Sequence, residues 1–208
     1  IPVCGIFFYR SEIMVDTHCH LLLEEYKTLE HLQEIVSHMN GNLMITSATN
    51  RKNIQETLEI VKKFPNVYGV IGIHPEEIDD GTEENLNFLE SHLFDEKIVG
   101  IGEIGLDYHY TKENREQQIK LFEKQLQLAE KLDIPVVIHS RDATFDTINT
   151  LKKYSVRGVI HCFSGSLETA WEYIKMGFVL GIGGVVTFKN SKLGDIVSKL
   201  PLDKIVLE

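Results

Sequence analysis

Five residues in this sequence have the types and spacing that hold divalent metal ions. His18 and His20 stand two apart in Asp16-Thr17-His18-Cys19-His20. Side chains two apart in a strand share a face, so both imidazoles can aim one way while Cys19 points the other. Imidazole pairs of this kind suit zinc or a transition metal. Glu103 sits in Gly102-Glu103-Ile104-Gly105, a carboxylate flanked by glycines. His139 closes the apolar run Val137-Ile138-His139, and His161 follows Ile160. Four histidines and a glutamate delivered by four separate runs can hold two ions about 3.5–4 Å apart, with Glu103 as bridge and catalytic carboxylate. Such a pair would activate a water as nucleophile and neutralise phosphoryl oxygens. A lone strand-end histidine is more often a satisfied core or capping residue, but chance poorly explains four at equivalent places.

Bringing these residues together requires a particular set of elements. Short apolar or β-branched runs occur at Met14–Cys19, Leu43–Ser47, Val67–Ile73, Ile98–Ile101, Ile134–His139, Gly158–His161, Gly177–Ile182 and Lys204–Leu207. Between them lie amphipathic stretches. In Arg115–Leu132, Ile119, Phe122, Leu126 and Ala129 recur at helical spacing, with Lys and Glu opposite. Asn50–Phe64, Thr82–Leu93, Asp142–Tyr154 and Leu167–Met176 read the same way. Apolar strands alternating with helices imply a parallel sheet buried on both faces. Eight such strands favour an α/β fold of the (β/α)8 TIM-barrel type, whose strand C-termini meet around one cavity. Each candidate ligand falls at such an end.

Other polar residues there have open roles. His74, between Ile73 and Pro75, reads equally as a turn stabiliser or a substrate contact. Arg141 would either clamp a phosphate or pair with Asp142 or Asp146. Asp107 would orient a ligand from behind or cap the loop beyond the fourth strand. His31, His38 and His92 fall in helical or loop stretches and read as solvated, and His109 is ambiguous. Cys19 and Cys162 alternate with ligand candidates and read as packing residues under the helices.

The 208 residues fit one domain, with 43% hydrophobic and 25% charged side chains. No apolar run is long enough to span a bilayer. Three cysteines without pattern suit a reducing cytoplasm. Met14 resembles a natural start, which would make residues 1–13 a leader or upstream extension and 14–208 the barrel. A net charge of −10 argues against a stable nucleic-acid-binding module. It leaves room for an enzyme that holds a phosphate briefly through bound cations.

Taken together, the blocks resemble the TatD family of metal-dependent deoxyribonucleases, within the wider amidohydrolase-like group. The matching stretches are DTHCH at 16–20, GIHP at 72–75, IGEIGLDYH at 101–109 and QQIKLFEKQLQLA at 117–129. IPVVIHSRDA at 134–143, VIHCFSG at 159–165, GFVLGIGGVVTFK at 177–189 and LPLDKIVLE at 200–208 complete the series. The resemblance implies a dinuclear site of Mg, Mn or Zn with His18, His20, Glu103, His139 and His161 as ligands. It also implies DNA as a transiently held substrate, with single-strand-preferring or 3′-directed cleavage. Keeping both His18 and His20 resembles the branch of the family with the full HxH pair.

In the family the closing block runs on into Thr-Asp-Ser-Pro, whose Asp is a metal ligand and general base. This sequence ends at Glu208. The expectation is a barrel truncated before that ligand and lacking its eighth helix, with apolar surface exposed around Ile205 and Leu207 and with impaired hydrolysis. Three functions compete: a DNA phosphodiesterase, a hydrolase of another ester such as D-aminoacyl-tRNA, and a non-catalytic metal- or partner-binding remnant. For any of them, a cytoplasmic protein without membrane contact is expected.

Overall fold

The computed structural model describes residues 14–208. The proposed leader at residues 1–13 lies outside the described residues. Eight parallel strands pair in sequence order into one sheet: β1 Val15–Cys19, β2 Leu43–Ser47, β3 Val67–Ile71, β4 Ile98–Asp107, β5 Val136–Arg141, β6 Gly158–Ile160, β7 Val179–Ile182 and β8 Ile205–Leu207. At the seam between first and last strands, the Thr17 hydroxyl donates to the Leu207 carbonyl at 3.1 Å. The sheet is thus a nearly closed TIM-type barrel.

The helices between the strands are α1 Leu23–Tyr26, α2 Leu29–His38, α3 Arg51–Lys63, α4 Glu83–His92, α5 Arg115–Leu132, α6 Thr144–Leu151, α7 Leu167–Lys175 and α8 Leu193–Val197. Four begin at a side-chain cap: Thr28, Asn50, Thr82 and Ser166 each accept from the backbone N–H three residues on. Ile71, Ile101, Ile104, Phe122, Leu126 and Leu180 are fully buried, so the core lies both inside the barrel and beneath the helices. Ile205 and Leu207 are half-buried and packed against that core, not exposed as expected.

Two departures from the sequence reading bear on the site. First, β4 does not stop at Ile101. It runs through the glycines to Asp107, pairing Gly105 with His139 and Asp107 with Arg141. Gly105 has φ +145°, and a Cβ there would sit 1.9 Å from the His139 carbonyl oxygen. Only glycine lets the two strands approach this closely, and the extension carries Glu103 and Asp107 into the barrel mouth.

Second, α5 presents polar residues to the core. Gln118 and Gln125, seven residues apart on the face of Phe122, Leu126 and Ala129, are buried, whereas Ile119 is only partly so. Each amide satisfies both backbone groups of one strand-end residue. Gln125 accepts from the Ile73 N–H at 2.8 Å and donates to the Ile73 carbonyl at 3.0 Å. Gln118 does the same for Asp107, at 2.9 and 2.8 Å. Buried backbone groups must be paired, and here no neighbouring strand pairs them, so a helix does. The two anchored residues are Asp107 itself and the neighbour of His74.

Gln125→Leu keeps the volume but strands the Ile73 N–H and carbonyl. At roughly 1–3 kcal/mol per buried orphan, unfolding free energy should fall by about 2–5 kcal/mol in urea titrations followed by circular dichroism. A loss under about 1 kcal/mol would mean that Ile73 finds another partner and that Gln125 is no anchor.

Candidate metal centre

Glu103 is the hub. Its side chain is 4% exposed and lies within 4 Å of five imidazoles. Oε2 is 3.3 Å from His18 Nε2 and 3.6 Å from His20 Nε2. Oε1 is 2.8 Å from His139 Nδ1 and 3.7 Å from both His74 Nε2 and His161 Nε2. The geometry resolves into two clusters that share this carboxylate: His18, Glu103 and His161, and His74, Glu103 and His139. In each, the donor atoms lie within 4.8 Å of one another.

The backbone explains how these side chains meet. His18, near the C-terminal end of β1, stacks on His161 just past β6, with ring centroids 3.6 Å apart. His20 faces the Ser47 carbonyl with Nδ1 at 3.0 Å. A carbonyl only accepts, so Nδ1 carries the proton and Nε2 turns a lone pair towards the cleft. His20 Nε2 lies 3.1 Å from His18 Nε2 and 3.6 Å from Glu103 Oε2, so its lone pair and the carboxylate converge. Such a group is repulsive until a proton or a cation enters it, and that fits a metal site.

Protonation follows the same electrostatics. Burial, then repulsion from His161, lowers the pKa of His18. Burial lowers His74 to about 4, against the pull of Glu103, so it is neutral near pH 7. Burial alone would raise Glu103, but hydrogen bonds from His139 and His18 outweigh it and hold the carboxyl well below its usual range. His139 goes the other way. Burial lowers it, yet Glu103 at Nδ1 and Asp107 at Nε2, each 2.8 Å away, raise it overall. An imidazole between two carboxylates is a cation-seeking arrangement.

All five residues singled out by spacing, His18, His20, Glu103, His139 and His161, therefore meet around one point. His74 joins them, and its Nδ1 accepts from the Glu76 N–H at 3.2 Å. In the neutral ring that leaves Nε2 as an N–H donor, so His74 suits donation into the cleft better than coordination through Nε2. Of the two roles left open for it, the structure shows the turn-stabilising one: it caps the turn at Pro75–Asp80. Asp107 likewise does both: Oδ2 holds His139 and Oδ1 accepts from the His109 N–H at 2.8 Å.

Arg141 has no carboxylate within ion-pair distance among the described residues. Asp146 is taken by Arg115, with two contacts of 2.7 Å, and Asp142 pairs with His109 at 3.0 Å. Arg141 instead faces the exposed ring of Tyr110, 5.4 Å from its centroid, and lines the cleft. Glu24, Glu25, Glu76 and Glu77 form an acidic lip on the same cleft.

His31 and His38 are exposed, as read, but His92 is half-buried against Phe88. Cys19 is half-buried beside the Ile45 carbonyl. Cys162 corrects the sequence reading: it is exposed and has φ +45°, because the chain leaves the sheet after Ile160 and turns there. Missed from sequence were Ser47, whose carbonyl and hydroxyl meet His20 and His18, and the anchoring glutamines. The glutamines did carry a signal, since they fall on the apolar stripe of their helix.

A family model described as TatD related DNase matches residues 15–208. The metal-dependent hydrolase YabD of Bacillus subtilis is 38% identical over 201 residues, which cover 94% of this chain and 79% of the relative. The crystal structure of YjjV, a TatD homologue from Escherichia coli, superposes with a TM-score of 0.83 at 30% identity, over 93% of this chain and 77% of that one. A TatD family hydrolase from Entamoeba histolytica shares the fold, with a TM-score of 0.81 at 22% identity.

Because both clusters share one carboxylate, Glu103→Gln should weaken metal binding at each by at least 100-fold, beyond the roughly 10–100-fold cost of an outer partner. Elemental analysis after dialysis and calorimetric titration would read this. Chelation should also lower the thermal midpoint, since metal at 100 times its Kd stabilises by about 2.7 kcal/mol. Unchanged metal content in Glu103→Gln would remove Glu103 from the bridge.

Proposed function

The chain belongs to the TatD-related family of metal-dependent hydrolases, and from that premise we propose that it cleaves phosphodiester bonds in DNA. The observation that carries the reading is the buried carboxylate of Glu103, which has candidate ligands at both oxygens: His18 and His20 at Oε2, His139 and His161 at Oε1. Sharing one bridging ligand is how a protein sets two ions at the separation that phosphoryl transfer uses. In this reading His18, His20, Glu103, His139 and His161 are the metal ligands. Divalent ions held there, Mg, Mn or Zn, would polarise the phosphoryl oxygens and lower the pKa of a water.

The chain's own residues would do the rest. Asp107 holds the far nitrogen of His139 and so fixes its ring. His74 offers a neutral N–H towards the same cleft. Arg141, without an acidic partner among the described residues, would take a phosphate through two parallel hydrogen bonds. The glutamates Glu24, Glu25, Glu76 and Glu77 line the same cleft and repel a long polyanion. That repulsion supports a substrate held near its end and not gripped along a groove. It also keeps open a smaller ester such as an aminoacyl ester. A cytoplasmic setting is consistent with the free thiols of Cys19 and Cys162. No helix among the described residues is long and apolar enough to cross a membrane.

The test is turnover of end-labelled single- and double-stranded oligonucleotides beside aminoacyl esters, with Mg, Mn and Zn added separately. Metal-dependent DNA cleavage, abolished by chelator and restored by metal, is the expected result. Turnover of the esters alone would move the function to that substrate, and bound metal without turnover of any substrate would leave a binding protein. Arg141→Ala should raise KM about tenfold or more, as loss of a charged hydrogen bond of roughly 1.5–3 kcal/mol implies, with kcat little changed. A fall in kcat at unchanged KM would contradict the phosphate-gripping role.

A further inference from the structure

Besides Glu103 and Asp107, the structure holds a third buried carboxylate at the barrel mouth, on the Nδ1 side of His161, whose Nε2 faces Glu103. Glu208 follows β8, and its side chain is only 4% exposed. Its Oε2 accepts from the backbone N–H of Cys162 at 2.8 Å. The same oxygen lies 3.1 Å from His161 Nδ1, close enough for an ion pair though off the axis of a straight hydrogen bond. Its Oε1 is buried without a hydrogen-bond partner. Neither cluster around Glu103 includes it.

Two features show that room has been made for this carboxylate. Gly181 in β7 faces it, and a Cβ there would fall 1.8 Å from Oε1. Any side chain at that position would expel the group. Cys162 has a left-handed backbone, φ +45°, which a residue with a Cβ seldom adopts without support. The Glu208 contact supplies that support at the residue directly after His161.

We infer that Glu208 is a positioning residue for His161. Its carboxylate holds the proton on Nδ1, so Nε2 is left bare and aimed at Glu103, and it pins the turn that sets the ring. A carboxylate on the far nitrogen of a ligating histidine fixes the tautomer and raises the basicity of the other nitrogen. The inference rests on the reading of His161 as a metal ligand. It explains why a charged group is buried where β6, β7 and β8 converge, a burial that is costly unless the charge is paired.

The tautomer can be read directly from long-range 1H–15N correlations of the histidine rings, in metal-free and zinc-loaded protein, with His161 assigned from His161→Asn. The wild-type ring should show the Nδ1–H pattern. Glu208→Ala should shift it towards Nε2–H and weaken zinc binding about 10–100-fold. Glu208→Gln, whose amide oxygen can still accept, should restore the Nδ1–H form. An Nε2–H pattern in the wild type would overturn the inference even if no variant folds, and so would an unaltered tautomer and zinc affinity in Glu208→Ala. Gly181→Ala, which displaces the carboxylate without removing it, should reproduce the Glu208→Ala spectrum. His161→Asn separates the two claims. If it leaves zinc affinity unchanged, the ligand role fails and the inference with it. If it weakens zinc binding while Glu208→Ala does not, only the positioning role fails.

Discussion

A carboxylate buried in the mouth of a barrel is unstable unless positive charge or donors surround it, and much of this molecule answers to that constraint at Glu103. Taking an ion out of water costs several kcal/mol even after relaxation. Five imidazoles lie within 4 Å of it. They do not all act alike, because each ring's far nitrogen has a different partner. His20 is committed by a carbonyl, His139 by a carboxylate, and His74 by a backbone N–H. The partners behind the rings therefore decide which nitrogens face Glu103 as lone pairs and which as donors. A pocket that turns several lone pairs and a carboxylate on one point is complementary to a cation, and that gives the site its chemistry.

On the proposed reading, the same constraint explains how an acidic protein would serve an anionic substrate. A net charge of −10 spread over the surface would repel a polyanion. The groups that matter to a single phosphate are local: Arg141, free of any acidic partner among the described residues, and the ions the clusters are shaped to hold. Arg115 holds Asp146 through two hydrogen bonds and the His109 ring contacts Asp142, and neither carboxylate pairs with Arg141.

Much of this was legible in the sequence because strands buried on both faces leave unbroken apolar runs, and eight such runs allow few architectures. The ligand candidates were legible because their spacing matched the alternation of a strand and each ended a run. The extension of β4 was not, since Gly102 and Gly105 break the run and their need shows only when β5 lies alongside. Gln118 and Gln125 were hidden by polarity, which assigns such residues to water unless an unpaired backbone nearby requires them. Cys162 was misread because alternation was carried past the end of β6, where the chain had already turned. The partner of Arg141 could not be read from neighbours in sequence, as Asp146 is claimed by Arg115 from a different helix.

The two clusters depend on the fold in different ways. His74 follows β3, Glu103 lies within β4 and His139 within β5, three consecutive strands that pair in parallel. That arrangement needs only a local stretch of sheet. His18 and His161 come from β1 and β6, and their rings stack only because β7 and β8 carry the sheet round to the first strand. The Thr17 contact with Leu207 and the Glu208 contact with Cys162 both lie on that route. Closure of the barrel is thus part of the metal chemistry: one cluster reports the sheet, and the other reports whether the sheet has become a barrel.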